Sequence, residues 1–394
     1  MTQTLPLGPT RINLIVLTIL GLSPLVGMGI DLITPSLPAI SQDLAVSNTV
    51  TKNLIAIYLL GYALGNFLVG FLTDILGRKK LFIIALLSFI VFSLLPVFFP
   101  YISILFFARL FQGLALGGYA VITRGIFSDI LSPEHLPKTI TLIATAWGIG
   151  PIIGPAIGGY LQYYFNWQAC FIFFAVYGLC GLLIFLFILP ETLQQKQTLQ
   201  LTQLKNNFIA IARHRVFIGV IVLMGSAYSM LIAFNTLGPF LIQNSLGYSA
   251  IDFGHIALGL GVSFLLGTIV CRILIKKYPP ETLFLFTIPI ILIIIILSLV
   301  LAYLNSKNLC LVIISSLFTF FTCGILYPAG MSKGISLFRH LPGSSTALMG
   351  LINVLITSLV ATLLGFVNST SVAMSWTYLL LMLITTGCYL FLIR

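Results

Sequence analysis

Residues Gly70–Lys80 read GFLTDILGRKK, a short polar turn set between two long apolar runs. Gly70 and Gly77 permit close packing and a tight bend. Asp74 can accept hydrogen bonds from a helix N-terminus, and Arg78 can bridge to a second acid, for which Asp129 is the obvious partner. The flanking runs, 51–72 and 80–99, are each long enough to cross a bilayer, which takes ~20 apolar residues. An ordinary basic loop would account for Arg78, Lys79 and Lys80. It would not account for the spacing of the glycines and the aspartate.

Outward from this turn, similar apolar runs fill the chain. Of its 394 residues 59% are hydrophobic and 7% charged. A soluble domain carries about 25% charged residues, so this chain could not cover itself with a watery surface. Spans are expected at 12–36, 51–72, 80–99, 101–130, 138–161, 168–190, 216–243, 251–276, 281–303, 308–331, 344–366 and 373–393. The fold class is therefore an all-α polytopic membrane protein with twelve transmembrane helices in two six-helix halves. A longer polar stretch holding Gln194, Gln195, Lys196, Gln197, Lys205, Arg213 and Arg215 reads as a linker. It divides the chain into 1–190, 191–215 and 216–394. The halves carry a faint repeat: Gly70 and Lys79-Lys80 recur as Gly267 and Lys276-Lys277, 197 residues on.

The net charge of +11 would suggest nucleic acid in a soluble protein. Here the basic residues stand in loops without a long run, and nucleic acid is excluded as a partner. All but Lys52, Lys307, Arg109 and Arg124 of the 19 fall on one side of the expected spans. Basic loops stay in the cytoplasm, so both termini and the linker should face inward, in a bacterial inner membrane. No small-residue cleavage site precedes the first span, which should be retained. The six cysteines form no C-x-x-C pair, and the four histidines, His135, His214, His255 and His340, lie in or beside loops. No phosphate-cradling loop is present. Neither an enzyme nor a metal or other cofactor is expected.

Three further stretches carry chemistry. RLFQGLALGG, Arg109–Gly118, sets Arg109, Gln112, Gly113, Leu116 and Gly117 on one face of the fourth span. An arginine there costs at least ~2.5–3.5 kcal/mol, so it needs a wet or paired site. Arg124 lies roughly 60° from that face. GIDLITPSLPAI, Gly29–Ile40, carries Asp31. Asp31 stands ~27 Å along the first span from Asn13, and Arg109 ~12 Å into the fourth from Tyr101, so the two can share a depth. A carboxylate balanced between burial and a neighbouring guanidinium can load and release a proton. A solvated acid at the membrane border is the alternative, given Pro35 and Pro38. GIGPIIGPAIGG, Gly148–Gly159, places Gly150, Gly154 and Gly158 in one stripe for close helix contact, with Pro151 and Pro155 bending the fifth span.

These stretches carry a family resemblance. The Gly70–Lys80 turn resembles the major facilitator loop pattern G-x-L-x-D-R-x-G-R-[RK], with Ile75 in place of the second arginine. Arg109-x-x-Gln112-Gly113 is similar to the R-x-x-Q-G motif of that superfamily. The Gly150–Gly159 string, with Gly159 closing it, looks like the mark of its antiporter branch. Asp31-x-x-x-Pro35-x-x-Pro38, TRGIFSDI (Thr123–Ile130) and LPETL (Leu189–Leu193) resemble the Bcr/CflA drug-resistance transporters, Ser128 replacing an arginine of their pattern. The resemblance implies drug:proton antiport by alternating access, with Asp31, Arg109 and Arg124 in the coupling site. Gly70, Asp74, Gly77, Arg78 and Asp129 would form a latch that holds the halves in one state and breaks as they rock.

The expected function is thus proton-coupled export of small lipophilic molecules or drugs, with proton-coupled import of a nutrient as the alternative. Expected partners are a small-molecule substrate, protons and the lipid bilayer, and the chain is expected to act as a monomer. Pocket walls are sought among Tyr58, Tyr62, Gln112, Tyr119, Trp147, Tyr228, Phe234, Asn235 and Tyr327, since aromatic walls suit lipophilic or cationic ligands. Asp252 and His255 could form a second titrating pair, or a solvated border pair.

Overall fold

The structure is a computed structural model that describes residues 8–193, 208–305, 307–338 and 341–393. Among them, twelve helical segments are long and apolar enough to cross a membrane. They are α1 (Pro9–Asp43), α2 (Asn48–Leu76), α3 (Arg78–Phe98), α4 (Ile102–Ile130), α5 (Leu136–Tyr164), α6 (Trp167–Ile188), α7 (Arg215–Pro239, continued by a π-helical turn Phe240–Ser245), α8 (Ala250–Leu274), α9 (Pro280–Leu304), α10 (Leu309–Leu337), α11 (Pro342–Gly365) and α12 (Ser371–Cys388). The expected linker residues Gln194, Gln195, Lys196, Gln197 and Lys205 lie outside the described residues, as do Arg339, His340 and Arg394.

Local chemistry sets the ends and breaks. Helix α1 is interrupted at Ser23, where Pro24 supplies no N–H, and it loses α-helical form after Asp31 in a 3-10 turn at Thr34–Ser36. Helices α6, α10 and α12 each begin on a side-chain cap: Asn166 accepts from the Ala169 N–H, Asn308 from Cys310 and Thr370 from Ala373. Helix α8 begins on a full capping box, in which Ser249 and Asp252 satisfy each other's backbone N–H. Asp252 is thus committed to a helix end. Along α9, Phe286, Ile290, Ile293 and Leu297 are each more than half exposed, while Phe284, Ile288, Ile291 and Ile295 on the opposite face are buried. The exposed stripe is the face that lipid covers.

Contacts divide the chain into two units. The first comprises residues 8–33 and 57–193; the second comprises 34–56 and the described residues from 208 onward. The tip of the α1–α2 hairpin therefore belongs, by contact, with the C-terminal helices. Lys52 is only 3% exposed. Its ammonium donates to the Val367 carbonyl beyond the end of α11 (2.6 Å) and lies 5.4 Å from the centre of the Phe240 ring. Gln243 donates to the Pro35 carbonyl and Ser358 to that of Ala56. A hydrogen bond from a charged donor contributes about 1.5–3 kcal/mol, and every 1.4 kcal/mol is tenfold in an equilibrium. Lys52→Met is accordingly expected to raise backbone hydrogen exchange across 34–56 by at least about tenfold, with α9 unchanged. Equal exchange in variant and parent would show that the tip is held by packing alone.

The internal repeat is present in each unit's packing, in a different register from the one expected. In the first unit, a Cβ on Gly65 would strike the Leu114 carbonyl and one on Gly117 the Tyr62 carbonyl. In the second, Gly267 stands against the Phe321 carbonyl and Gly324 against that of Phe264. Gly65 thus matches Gly267 and Tyr62 matches Phe264, both 202 residues on, while α4 and α10 are related by 207. The start of α3 at Arg78 and of α9 at Pro280 keep the 202 step. Pairing Gly70 with Gly267 is corrected by five residues. Paired lysines line up in a loop for reasons of membrane side, whereas the close helix crossing fixes the glycines.

Candidate functional site

Pro35 cannot donate to the Asp31 carbonyl, and the α-helical part of α1 ends there, so carbonyls of its last turn need outside partners. Arg109 of α4 supplies one. Its guanidinium is wholly buried, and Nη2 donates to the Gly29 carbonyl at 2.7 Å. Nη1 donates to Gln112 Oε1 (3.1 Å), whose amide donates to Ser93 Oγ (2.8 Å), which in turn bonds the Phe89 carbonyl. The guanidinium carbon lies 4.1 Å from the centre of the Tyr58 ring. Three helices are thereby tied to one cation, with a π-face as its floor. Asp31, 4% exposed, is near enough for its charge to act on both Arg109 and Tyr58. It is an enclosed acid, and the solvated-border alternative does not describe it. The Tyr58 hydroxyl is buried against Gly29 with no hydrogen-bond partner among the described residues.

The glycine stripe of α5 backs this network. Gly150 lies against the Pro24 carbonyl and the Met28 N–H, and Gly158 against the Leu32 carbonyl. Between them, a Cβ on Gly154 would sit 3.5 Å from the Asp31 Cβ. The stripe sets α5 directly on the backbone of α1 at the level of the acid. Pro151 and Pro155 lie inside the helix as expected from their spacing.

A second cluster forms at the Gly70–Lys80 turn. Gly77 has φ +97°, a conformation that favours glycine, and it releases α2 into α3. Arg78 Nε lies 3.2 Å from Asp129 Oδ2 at the end of α4. Two members had no sequence signal beyond the LPETL resemblance. Glu191 accepts from the backbone N–H groups of Arg78 (2.9 Å) and Lys79 (3.3 Å), capping α3 from a distant segment, and the Thr192 hydroxyl donates to Asp129 (2.9 Å). These bonds join α3, α4 and the segment after α6, all inside the first unit. Gly70 packs on Val121, and the side chain of Asp74 lies outside the described set. Among the described residues, Ser128 donates to the Gly125 carbonyl of its own helix.

The residues sought as pocket walls separate into distinct groups. Tyr58 and Gln112 belong to the Arg109 network. Tyr119 and Phe234 are packed in cores: Tyr119 donates to the Ile19 carbonyl and touches Phe82, and Phe234 lies between Phe253 and Phe320. Both are 1% exposed or less, too enclosed to line a cavity here. In the second unit Tyr228 and Tyr327 pair at 5.5 Å, with Asn353 donating to the Tyr327 hydroxyl; Asn235 is buried on α7. Tyr62 and Trp147 gather around Arg124, whose guanidinium carbon lies 4.7 Å from the indole centre. Fifteen residues separate Arg124 from Arg109, about 22 Å along α4, so the two arginines do not share one network.

Twelve membrane-spanning helices, a buried arginine bonded to a broken α1, and paired helix crossings repeated in both units define a multi-pass membrane transporter. The chain belongs to the Major Facilitator Superfamily, whose sequence profile matches residues 19–362. It is 26% identical over 393 residues to the MFS-type transporter YdgK of Bacillus subtilis, covering 94% of this chain and 92% of that one. It is 24% identical to the bicyclomycin resistance protein homolog of Haemophilus influenzae over 68% of each chain, and 28% identical to the multidrug resistance protein MdtL of Salmonella heidelberg over 60% of each. The names of these relatives support the Bcr/CflA-type branch. Among solved structures, a D-xylose-proton symporter has the same fold, with a TM-score of 0.74 over 97% of this chain and 98% of that one, at 16% identity. Proteins of this superfamily move solutes and are not enzymes, and the same holds for this chain.

Proposed function

We propose that this transporter exports small, largely apolar molecules in exchange for protons by alternating access, with Asp31 carrying the proton and Arg109 as its counter-charge. The observation that carries the reading is the enclosed Asp31, set where α1 breaks and within the field of a guanidinium already committed to the Gly29 carbonyl. Loading a proton on Asp31 weakens its hold on Arg109, and reloading the charge restores it. Movement of α1 follows from that exchange because Arg109 grips its backbone. The Arg78–Asp129–Glu191 cluster serves as the latch, with Asp74 and the turn glycines. The basic side of the chain is cytoplasmic, with both termini and the 191–215 linker, in a bacterial inner membrane, and a single chain is the working unit. Export is favoured by the resistance functions in the names of the Haemophilus and Salmonella relatives. Proton-coupled import is the second reading, favoured by the shared fold of the D-xylose-proton symporter.

Proton release from purified, detergent-solubilised protein, measured as candidate compounds are added, tests the exchange. The parent is expected to acidify the medium on binding, and Asp31→Asn to bind without acidifying it. Binding by the parent with no release would sink antiport and leave import. Equal release from both proteins would move the proton away from Asp31.

A further inference from the structure

Arg124 lies six residues from the Ile130 end of α4, about 9 Å of helix, well away from the Asp31 network. Its guanidinium sits over the Trp147 indole of α5, with the carbon 4.7 Å from the ring centre. Tyr62 of α2 is close enough for the Arg124 charge to act on it, and its hydroxyl is hydrogen-bonded to Asn66 one turn along. The Trp147 Nε1 is buried and finds no hydrogen-bond partner among the described residues.

Donor chemistry decides what such a place accepts. An indole N–H only donates, and so does a guanidinium. A guanidinium holds its N–H groups in its own plane, at its rim, where an anion can meet them. A buried N–H without an acceptor is unfavourable, and the missing group must bring lone pairs. Negative charge is favoured over a neutral acceptor by the adjacent cation, and a lipophilic cation is repelled by it. The ring surfaces of Trp147 and Tyr62 suit an apolar body attached to that group.

We propose that the Arg124–Trp147–Tyr62 cluster is a substrate subsite that seats the carboxylate of small aromatic or aliphatic acids. The proposal rests on the exporter reading above and names its substrate class. It also replaces lipophilic cations, which aromatic residues alone would suit, with lipophilic anions. The two arginines of α4 then divide the work: Arg109 serves the proton-carrying acid, and Arg124 the cargo.

Binding to the purified full-length protein in detergent tests this with matched probes. Each of three frames (naphthalene, biphenyl and a ten-carbon alkyl chain) is presented as its carboxylate, its amide and its ammonium analogue. On at least one frame the carboxylate should bind about tenfold more tightly than the amide, with the ammonium weakest, the effect of adding a charge-assisted bond. Arg124→Gln should erase the preference for acid over amide. Trp147→Phe, which keeps a ring and removes the N–H, should weaken the acid several-fold. If no carboxylate outbinds both its partners in the parent protein, the subsite is wrong, and this arm needs no variant to fold. Reconstituted vesicles separate the two readings. Acid preference without proton-driven transport would overturn the exporter and leave the subsite. Proton-driven export of the ammonium series in place of the acids would do the reverse.

Discussion

Arg109→Lys is expected to fold and to lose at least about fivefold in transport, while Arg109→Ala should lose both transport and a large part of its thermal stability. The two substitutions differ in what they leave behind. A lysine keeps a positive charge near Asp31, but its ammonium is a point donor without the planar fork. It cannot reach the Gly29 carbonyl at 2.7 Å and Gln112 Oε1 at 3.1 Å in the geometry that the guanidinium now serves. One buried acceptor is left unpaired, at a cost of about 1–3 kcal/mol, which is roughly fivefold to 150-fold in a rate or equilibrium. Alanine leaves Gly29 and Gln112 both without their donor and Asp31 without its counter-charge. Each buried acceptor left without its donor costs about 1–3 kcal/mol. Thermal unfolding in detergent and proton-driven uptake in everted vesicles measure the two effects. Lysine at wild-type transport would show that only the charge of Arg109 matters, and the grip on α1 would then have no part in the cycle.

The twelve spans were readable because a bilayer admits so few solutions. A run of apolar residues bounded by Pro, Gly or a cap can only be a helix there, and the expected boundaries lie within a few residues of the observed ones for most spans. Helix α1 is a partial exception. Its hydropathy is continuous, so the interruption at Ser23 and the 3-10 turn at Thr34–Ser36 show only through Pro24, Pro35 and Pro38. Arg109 and Asp31 stood out for the cost of charge inside a membrane, and both are buried. The partner of Arg109, the Gly29 carbonyl, had no side-chain signal at all. Backbone acceptors appear only once the helix is known to end. Glu191 was hidden for a different reason: it caps α3 from 113 residues away, and a lone acid in a connecting stretch does not announce its target. The aromatic residues were the least legible, because Tyr119 in a core and Trp147 beside an arginine satisfy the same sequence rule.

The glycine stripe of α5 makes a graded expectation that separates packing from movement. Gly158→Ala would drive a methyl group into the Leu32 carbonyl, and Gly150→Ala one into the Pro24 carbonyl, both backbone atoms of α1 that no rotamer can clear. Overpacking of this kind costs about 1–3 kcal/mol, and here it also pushes α1 away at the level of Asp31. Gly154→Ala meets Leu32 N at 3.4 Å, the Asp31 Cβ at 3.5 Å and the Met28 Cα at 3.6 Å, which is ordinary contact. Alanine in place of a helical glycine gains about 0.5–1 kcal/mol from the backbone, so this variant should match or exceed the parent in thermal stability. The expected order of midpoints is Gly154→Ala at the top and Gly150→Ala with Gly158→Ala clearly below. A Gly154→Ala protein destabilised as much as Gly158→Ala would mean that α5 and α1 do not meet in this register. Transport by the same variant answers a further question. If α1 and α5 move as one body through the cycle, the added methyl stays in its slot and transport persists. If they slide past each other, the methyl meets new atoms in the other state, and a fully stable protein will fail to transport.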